Sequence, residues 1–87
     1  MISRHGDWLS ARVGDEIMMM SAAHGVYLGL NEVGARIWDL IETPQPREAL
    51  YAALQGEFEV DAETCRSEVD DFLEELLRRG AAVSDPG

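Results

Sequence analysis

The side chains that most often carry chemistry in proteins are sparse in this sequence. The chain has two histidines, His5 and His24, and one cysteine, Cys65. Neither histidine has a second histidine or a cysteine at metal-ligand spacing, and neither lies in an HExxH frame. Their positions are typical of a tail residue and a turn residue rather than of zinc ligands. Cys65 falls on the apolar face of a predicted helix, where a free thiol is usually inert packing.

The serines and glycines form no catalytic or phosphate-binding pattern either. No GxSxG or SxxK frame contains Ser10, Ser21, Ser67 or Ser84, and the eight glycines are scattered along the chain. The single cysteine excludes a disulfide framework. The sequence therefore predicts no catalytic residues, no cofactor and no metal site, and we expect a protein that is not an enzyme.

A cluster of carboxylates is the strongest charge feature. Nine of the seventeen acidic residues lie between positions 57 and 75, and Arg66 is the only cation among them. One interpretation is a solvated helix face that keeps the protein soluble. The other is an electrostatic surface that speeds the encounter with a basic partner. Asp61 and Glu63 resemble part of a calcium loop, but the glycine and the final glutamate of such a loop are missing.

Length and composition narrow the class of protein. The 87 residues, 46% hydrophobic and 28% charged, fit one small globular domain with a modest core. The formal net charge of −10 argues against nucleic acid, whose binding depends on basic side chains. No apolar run approaches a membrane span, and the N-terminus lacks a signal-peptide pattern. We expect one cytoplasmic domain over 1–87, with an ordered core at about 7–83 and short terminal tails.

Before residue 31 the pattern is that of short strands separated by turns. Runs rich in β-forming residues cover 7–13, 16–22 and 25–30. The first two are divided by Gly14-Asp15, and the last two by Ala23-His24-Gly25, both of which suit hairpin connections. This spacing predicts an antiparallel meander of three strands.

After residue 31 the apolar residues recur at helical spacing. Asn31 is a good N-cap for a first helix, Pro46 at N1 begins a second, and Asp61 caps a third. Gly80 is expected at C′ of the third helix, and 81–83 are compatible with a short final strand. The fold class is therefore α+β and winged-helix-like, a three-stranded antiparallel sheet followed by three helices. Because both candidate recognition helices are acidic, DNA binding is not expected.

The third predicted strand, GVYLGL, is the most informative element. Val26, Leu28 and Leu30 point to one side of the strand, and Tyr27 and Gly29 point to the other. As the last strand of a meander it is an edge unless the final short strand covers it. It carries no Lys, Pro or inward charge to blunt that edge, which favours docking of an extended peptide. The alternative is an ordinary strand covered by its neighbours.

Two long runs of the chain resemble the PqqD-like family. The first, VYLGLNEVGARIWDLIETP at 26–44, carries the frame Y-x-x-L-N-x-x-G/A-x-x-I-W-x-L through Tyr27, Leu30, Asn31, Gly34, Ile37, Trp38 and Leu40. The second, FEVDAETCRSEVDDFLEELLRRG at 58–80, carries F-x-V-D and then V-x-x-F-L-x-x-L and a final glycine. The match covers roughly 7–83. These small domains recognise the leader segments of ribosomally made, post-translationally modified peptides.

Within that family the chain looks most like the stand-alone proteins of lasso-peptide gene clusters. The pyrroloquinoline-quinone branch usually carries L-C-D-G after the first helix, whereas this chain has Leu40-Ile41-Glu42-Thr43-Pro44. The resemblance implies that a precursor leader adds as a strand beside the third strand and packs against the third helix. It also implies delivery of the precursor to a separate leader peptidase or modifying enzyme.

The implied peptide site combines the edge strand with one side of the third helix. Its members on the strand are Val26, Tyr27, Leu28, Gly29 and Leu30, and its members on the helix are Val69, Asp70, Leu73 and Leu77. The apolar helix residues would wall a crevice, and Asp70 at the margin of the stripe would accept a leader hydroxyl, amide or cation. Phase alone leaves open which flank of the helix faces that crevice.

Three alternatives remain at this point. The first is a PqqD-type chaperone that serves a radical enzyme instead of a peptidase. The second is an interaction module that forms a homo-oligomer by pairing its edge strand with itself. The third, an enzyme, ranks last because no reactive site is found. Membrane and nucleic-acid partners are not expected.

Overall fold

The structure, a computed structural model, describes residues 1–23 and 25–85. Three strands, β2 (Trp8–Val13), β3 (Glu16–Ser21) and β4 (Val26–Leu30), form an antiparallel sheet in that order. Three helices follow, α1 (Glu32–Leu40), α2 (Arg47–Phe58) and α3 (Ala62–Arg78). Two short strands, β1 (Ile2–Arg4) and β5 (Ala82–Ser84), lie at the ends of the chain. The predicted α+β class, with a three-stranded sheet followed by three helices, is confirmed.

Two tight connections set the register of the sheet. Gly14, with φ +63°, occupies the first position of a two-residue turn that places Val13 opposite Glu16. The β3–β4 connection places Ser21 opposite Val26, and Gly25 (φ +64°) donates its N–H to the Ser21 carbonyl at 2.8 Å. His24, the predicted turn residue, lies outside the described residues.

The helices begin and end at residues whose chemistry explains the boundary. Asn31 Oδ1 accepts the Gly34 N–H at 2.9 Å, and Asp61 Oδ1 accepts the Thr64 N–H at 2.7 Å. At the end of α3, Gly80 (φ +74°) donates to the Leu77 carbonyl and Ala81 donates to the Leu76 carbonyl. This pair of bonds is a Schellman motif. The predicted caps are confirmed, although Pro46 is the N-cap of α2 and not its first helical residue.

The N-terminal residues differ from the predicted tail. β1 pairs antiparallel with β5, so that Ile2 faces Ser84 and Arg4 faces Ala82. Ile2 also exchanges two backbone hydrogen bonds with Gln45 and is only 1% exposed. The ordered core therefore begins before residue 7. A three-residue strand with one apolar side chain has no periodicity, and its partner lies 80 residues away, so the sequence pattern does not reveal it.

The core lies between the inner face of the β2–β3–β4 sheet and the helices. α1 packs against β3 and β4, α2 packs against α1 and α3, and α3 packs against β5. The sheet contributes Ile17, Met19 and Leu30 to the core, and the helices contribute residues including Ile37, Trp38, Leu50, Leu54, Val69, Leu73 and Leu76. Among the described residues, no helix is long and apolar enough to cross a membrane.

The Asp61 cap provides a pH test of the α3 boundary. Hydrogen bonds from the backbone and side chain of Thr64 lower the pKa of Asp61 below its usual value of 3.8. Its stabilising effect is therefore complete above the unfolded-state pKa and is lost as the pH falls through the folded-state pKa. We expect Asp61→Ala to lower the Tm at neutral pH, and the difference from wild type to shrink in acid. Thermal unfolding followed by circular dichroism between pH 7 and 2.5 measures both; a Tm difference that does not change with pH would contradict the carboxylate cap.

Candidate functional site

The outer edge of β4 is the first component of the site. β4 is the terminal strand of its sheet, and β5 pairs with β1 instead of with β4. In the described part of the chain, therefore, no strand covers this edge. The prediction that β4 is an edge strand is confirmed. The C-terminal strand, which could have covered this edge, does not do so.

The register identifies which backbone groups point outward. In a two-residue hairpin the residues that flank the turn exchange hydrogen bonds, so Glu16 directs its N–H and C=O toward β2. Backbone direction alternates along a strand, which turns Ile17, Met19 and Ser21 toward β4 and their partners Leu30, Leu28 and Val26 toward β3. The remaining residues of β4, Tyr27 and Gly29, direct their N–H and C=O groups to the open edge.

The side chains of β4 alternate as predicted. Val26 and Leu28 are half-buried on the inner face, and Leu30 is buried there. Tyr27 is 67% exposed on the outer face, and Gly29 lies beside it without a side chain. A peptide that pairs with this edge would meet the outward N–H and C=O groups of Tyr27 and Gly29.

Two of the predicted helix residues lie in the core beneath the site. Val69 and Leu73 both have 0% exposure, in the apolar stripe of α3 that faces the other elements. Val69 and Leu73 can therefore underlie the predicted peptide crevice, but their side chains are not accessible to a peptide. Cys65, one turn before Val69, is also buried, and burial raises the pKa of its thiol.

The other two predicted helix residues lie on the flank of α3 that packs against α2. Asp70 Oδ1 accepts a hydrogen bond from Arg47 Nη1 at 2.9 Å and a second from the Tyr51 hydroxyl. Desolvation and the Asp70 hydrogen bond raise the pKa of Tyr51, which keeps its hydroxyl protonated as the donor. Leu77 is half-buried on the same flank. Asp70 therefore links α3 to α2. In its predicted role as an acceptor for the peptide, it would have to exchange these hydrogen bonds with Arg47 and Tyr51 for bonds to the peptide.

The opposite flank of α3 forms an open groove with the start of α1. Phe72 lies about 200° around the helix from Asp70. With Val33, Gly34, Glu68, Asp71 and Asn31, the residue that follows β4, it lines a groove of about 340 Å³. The walls combine apolar side chains with two carboxylates, and the groove begins where the open edge of β4 ends.

Gly34 sets the closeness of α1 and α3 at this groove. A Cβ added at Gly34 would lie 2.8 Å from Phe72 Cε1, which is closer than real contacts allow. The absence of a side chain at Gly34 thus lets the Phe72 ring lie against α1. Phe72 is the phenylalanine of the V-x-x-F-L-x-x-L frame, but the predicted site does not include it. The sequence feature that indicates a role for Phe72 in the site is its position at the margin of the apolar stripe of α3, next to Glu68 and Asp71.

No metal-binding geometry is found in the described part of the chain, where no three His, Cys, Asp or Glu side chains come together in a suitable group. His5 is exposed, and its backbone N–H donates to the Ala81 carbonyl at 2.9 Å. Asp61 serves as a helix cap rather than as part of a calcium loop.

Together, the fold and site define a winged-helix-like α+β domain whose sheet ends in a strand with one open edge, beside a groove. Residues 16–81 match the family described as coenzyme PQQ synthesis protein D (PqqD). The chain belongs to this family, which confirms the resemblance carried by its two motifs. No functionally curated protein matches the sequence.

Two solved structures share the fold over nearly the whole chain. TbiB1 in complex with the TbiA(beta) leader peptide is 30% identical with a TM-score of 0.84, over 95% of this chain and 99% of that one. Lasso peptide synthetase B1 complexed with the leader peptide is 17% identical with a TM-score of 0.82, over 95% of this chain and 98% of that one. At that lower identity, the second comparison establishes the common fold alone.

Leu73 lies in the core and its neighbour Phe72 lines the groove, so substitutions of the two residues should change the stability by different amounts. Leu73→Ala removes a fully buried side chain and should lower the free energy of unfolding by about 2–5 kcal/mol. Phe72→Ala removes a half-buried ring from the groove and should destabilise the protein less. Urea denaturation measures both values. A larger loss for Phe72→Ala would place the ring in the core instead of in the groove wall.

Proposed function

We propose that this protein binds the leader segment of a ribosomally made precursor peptide as an additional strand on the edge of β4. The single observation that carries the proposal is the edge at Tyr27 and Gly29, which no strand of the described residues covers and no Lys, Pro or inward charge blunts. The structures of TbiB1 and of lasso peptide synthetase B1, both complexes with a leader peptide, support it. Lasso-peptide precursors are the substrate class that the motif resemblance to the stand-alone lasso-peptide proteins favours.

Affinity and specificity arise from different parts of this site. Backbone hydrogen bonds to Tyr27 and Gly29 supply affinity with little demand on the leader sequence. Leader side chains that turn inward lie beside Val26 and Leu28 and toward the groove lined by Phe72. We place the crevice on the Phe72 flank of α3, with Val69 and Leu73 as its floor, because Asp70 and Leu77 lie on the flank that faces α2.

The protein does no chemistry in this proposal. It holds the precursor and raises its local concentration beside a separate leader peptidase or modifying enzyme. The motif resemblance to the stand-alone lasso-peptide proteins, and Leu40-Ile41-Glu42-Thr43-Pro44 in place of L-C-D-G, favour the peptidase over the radical enzyme as the recipient. Incubation of the purified protein with a cognate precursor should leave the mass of the peptide unchanged.

A proline scan of β4 tests strand addition. Tyr27→Pro and Gly29→Pro remove N–H groups that point to the open edge, so the sheet should stay folded while leader affinity falls about tenfold or more. Leu28→Pro removes an N–H that bonds to β3 and should destabilise the sheet. Circular dichroism and titration with the leader peptide by isothermal calorimetry measure the two effects.

Matched side-chain variants separate backbone from side-chain effects. Tyr27→Ala and Gly29→Ala keep the outward N–H groups and should bind the leader nearly as wild type does. Wild-type affinity in a folded Tyr27→Pro or Gly29→Pro variant would mean that the leader does not add to this strand.

The charge of the protein predicts a salt dependence of leader binding. The net charge of −10, with Glu68 and Asp71 beside the groove, should attract the basic residues of a leader over a distance. Association should slow as the salt concentration rises from low to physiological, while dissociation changes little. Stopped-flow fluorescence at several ionic strengths measures both rates. An association rate that does not depend on salt would leave the carboxylates with a role in solubility alone.

A further inference from the structure

A cluster of polar contacts joins α2 to α3 around Tyr51. The Tyr51 hydroxyl donates to Asp70 Oδ1, and the Arg66 guanidinium lies over the Tyr51 ring, 4.5 Å from its centroid. The Cys65 thiol lies 3.5 Å from the Tyr51 carbonyl oxygen, which accepts a hydrogen bond from it. One turn earlier on α2, Arg47 Nη1 donates to Asp70 Oδ1 at 2.9 Å. These five residues, the Tyr51 cluster, connect α2 to two successive turns of α3.

The side chains of α3 bond to other helices only in this part of the molecule. Among the described residues, every hydrogen bond between a side chain of α3 and another helix goes to Arg47 or Tyr51 of α2. The remaining contacts of α3 are made by buried apolar side chains such as Val69 and Leu73. Apolar contacts have no preferred direction, whereas a hydrogen bond weakens steeply when its angle changes. The Tyr51 cluster therefore fixes the rotation of α3 about its own axis more closely than the core does.

The rotation of α3 determines the shape of the groove on its opposite flank. Phe72 lines that groove, and a Cβ added at Gly34 of α1 would lie 2.8 Å from Phe72 Cε1. Side chains extend about 5–6 Å from the axis of a helix, so a rotation of about 20° would move the Phe72 ring by about 2 Å. Because packed interiors leave few voids, a movement of that size would either press the ring into α1 or open a gap beside it.

The Tyr51 cluster lies apart from the groove and its acceptor is occupied. Asp70 Oδ1 accepts hydrogen bonds from both Arg47 and Tyr51, and the Arg47 and Asp70 side chains are only 31% and 40% exposed. The residues that line the groove belong to α1, α3 and the N-cap Asn31, and none belongs to α2. The cluster can therefore change the groove through the position of α3, without contact with a peptide that lies there.

We propose that Tyr51 and Asp70 are positioning residues for leader binding. They hold α3 at the rotation in which Phe72 lies against Gly34 and shapes the groove, and they set the leader affinity without touching the leader. This inference rests on the proposed function, because it concerns how the groove beside β4 is held ready for the peptide. A leader that binds this rotation of α3 loses affinity in proportion to the fraction of molecules that leave it.

Substitutions at the two ends of the Tyr51–Asp70 hydrogen bond test this role. Tyr51→Phe removes only the hydroxyl, and Asp70→Ala removes the carboxylate that accepts from it. We expect each to lower the leader affinity about fivefold in isothermal calorimetry. The double variant should bind no more weakly than Asp70→Ala alone, because the hydroxyl acts through the carboxylate. Glu57→Ala, which removes the same charge and breaks the Arg36–Glu57 ion pair between α1 and α2, should keep the wild-type affinity.

Two further variants separate positioning from a general loss of stability. Ile41→Val removes a methylene group from a fully buried side chain, so it should lower the Tm and leave the leader affinity unchanged. Arg47→Gln breaks the cluster from the α2 side and should displace the Phe72 signal in the fluorine NMR spectrum of leader-free protein labelled with fluorophenylalanine. The chain has two phenylalanines, so Phe72→Leu assigns that signal. The matched variant Arg36→Gln should leave the signal in place.

The outcomes separate this inference from direct contact and from the proposed function. Wild-type affinity in Tyr51→Phe, with weak binding by Asp70→Ala, would mean that Asp70 contacts the leader itself and would overturn the inference. Losses that add in the double variant, an unmoved Phe72 signal in Arg47→Gln, or an equal loss of affinity in Ile41→Val would overturn it as well. Failure of the wild-type protein to bind the leader would instead overturn the proposed function, and the Phe72 signal would still show whether the cluster holds α3.

Discussion

Hydrogen bonds between the two ends of the chain determine which edge of the main sheet remains free. β5 leaves α3 through the Schellman turn at Gly80 and pairs with β1, and β1 also bonds to Gln45 before α2. β5 therefore pairs with β1 and does not cover the edge of β4. If β5 paired with β4 instead, the backbone groups of Tyr27 and Gly29 would be satisfied within the protein. The open edge is thus a consequence of long-range pairing that β4 itself does not encode.

The arginines have a comparable effect on the electrostatic surface. Because each arginine contacts a partner within the chain, many carboxylates, Glu68 and Asp71 at the groove among them, form no ion pair in the described part of the chain. Exposed ion pairs add little to stability, so their clearer effect is to occupy the basic side chains. The surface that remains is acidic around the groove and apolar on the outer sheet face. This distribution supports the proposed attraction of basic leader residues to the groove.

Local sequence signals predicted the elements well, and long-range geometry accounts for what they missed. The strands, the three helices and the caps at Asn31, Asp61 and Gly80 follow from periodicity and capping chemistry that act within a few residues. β1 was not predicted because its pairing partners, β5 and Gln45, are distant in sequence. The flank of α3 was ambiguous because Asp70 and Phe72 both border the apolar stripe, and only the position of α2 distinguishes them. The helical periodicity of a sequence identifies which residues are buried. It does not identify which other element packs against each flank of the helix.

The size of the domain explains why an open strand edge is a suitable binding device. A chain of 87 residues buries a modest core, and Val69 and Leu73 of α3 belong to that core. A deep pocket would remove side chains that the fold requires. In the proposed function, the open edge of β4 binds the leader through backbone groups that contribute nothing to the core, so peptide recognition and stability draw on different atoms. For the same reason, substitutions that alter the backbone of β4 separate binding from folding more cleanly than truncation of the apolar residues beneath it.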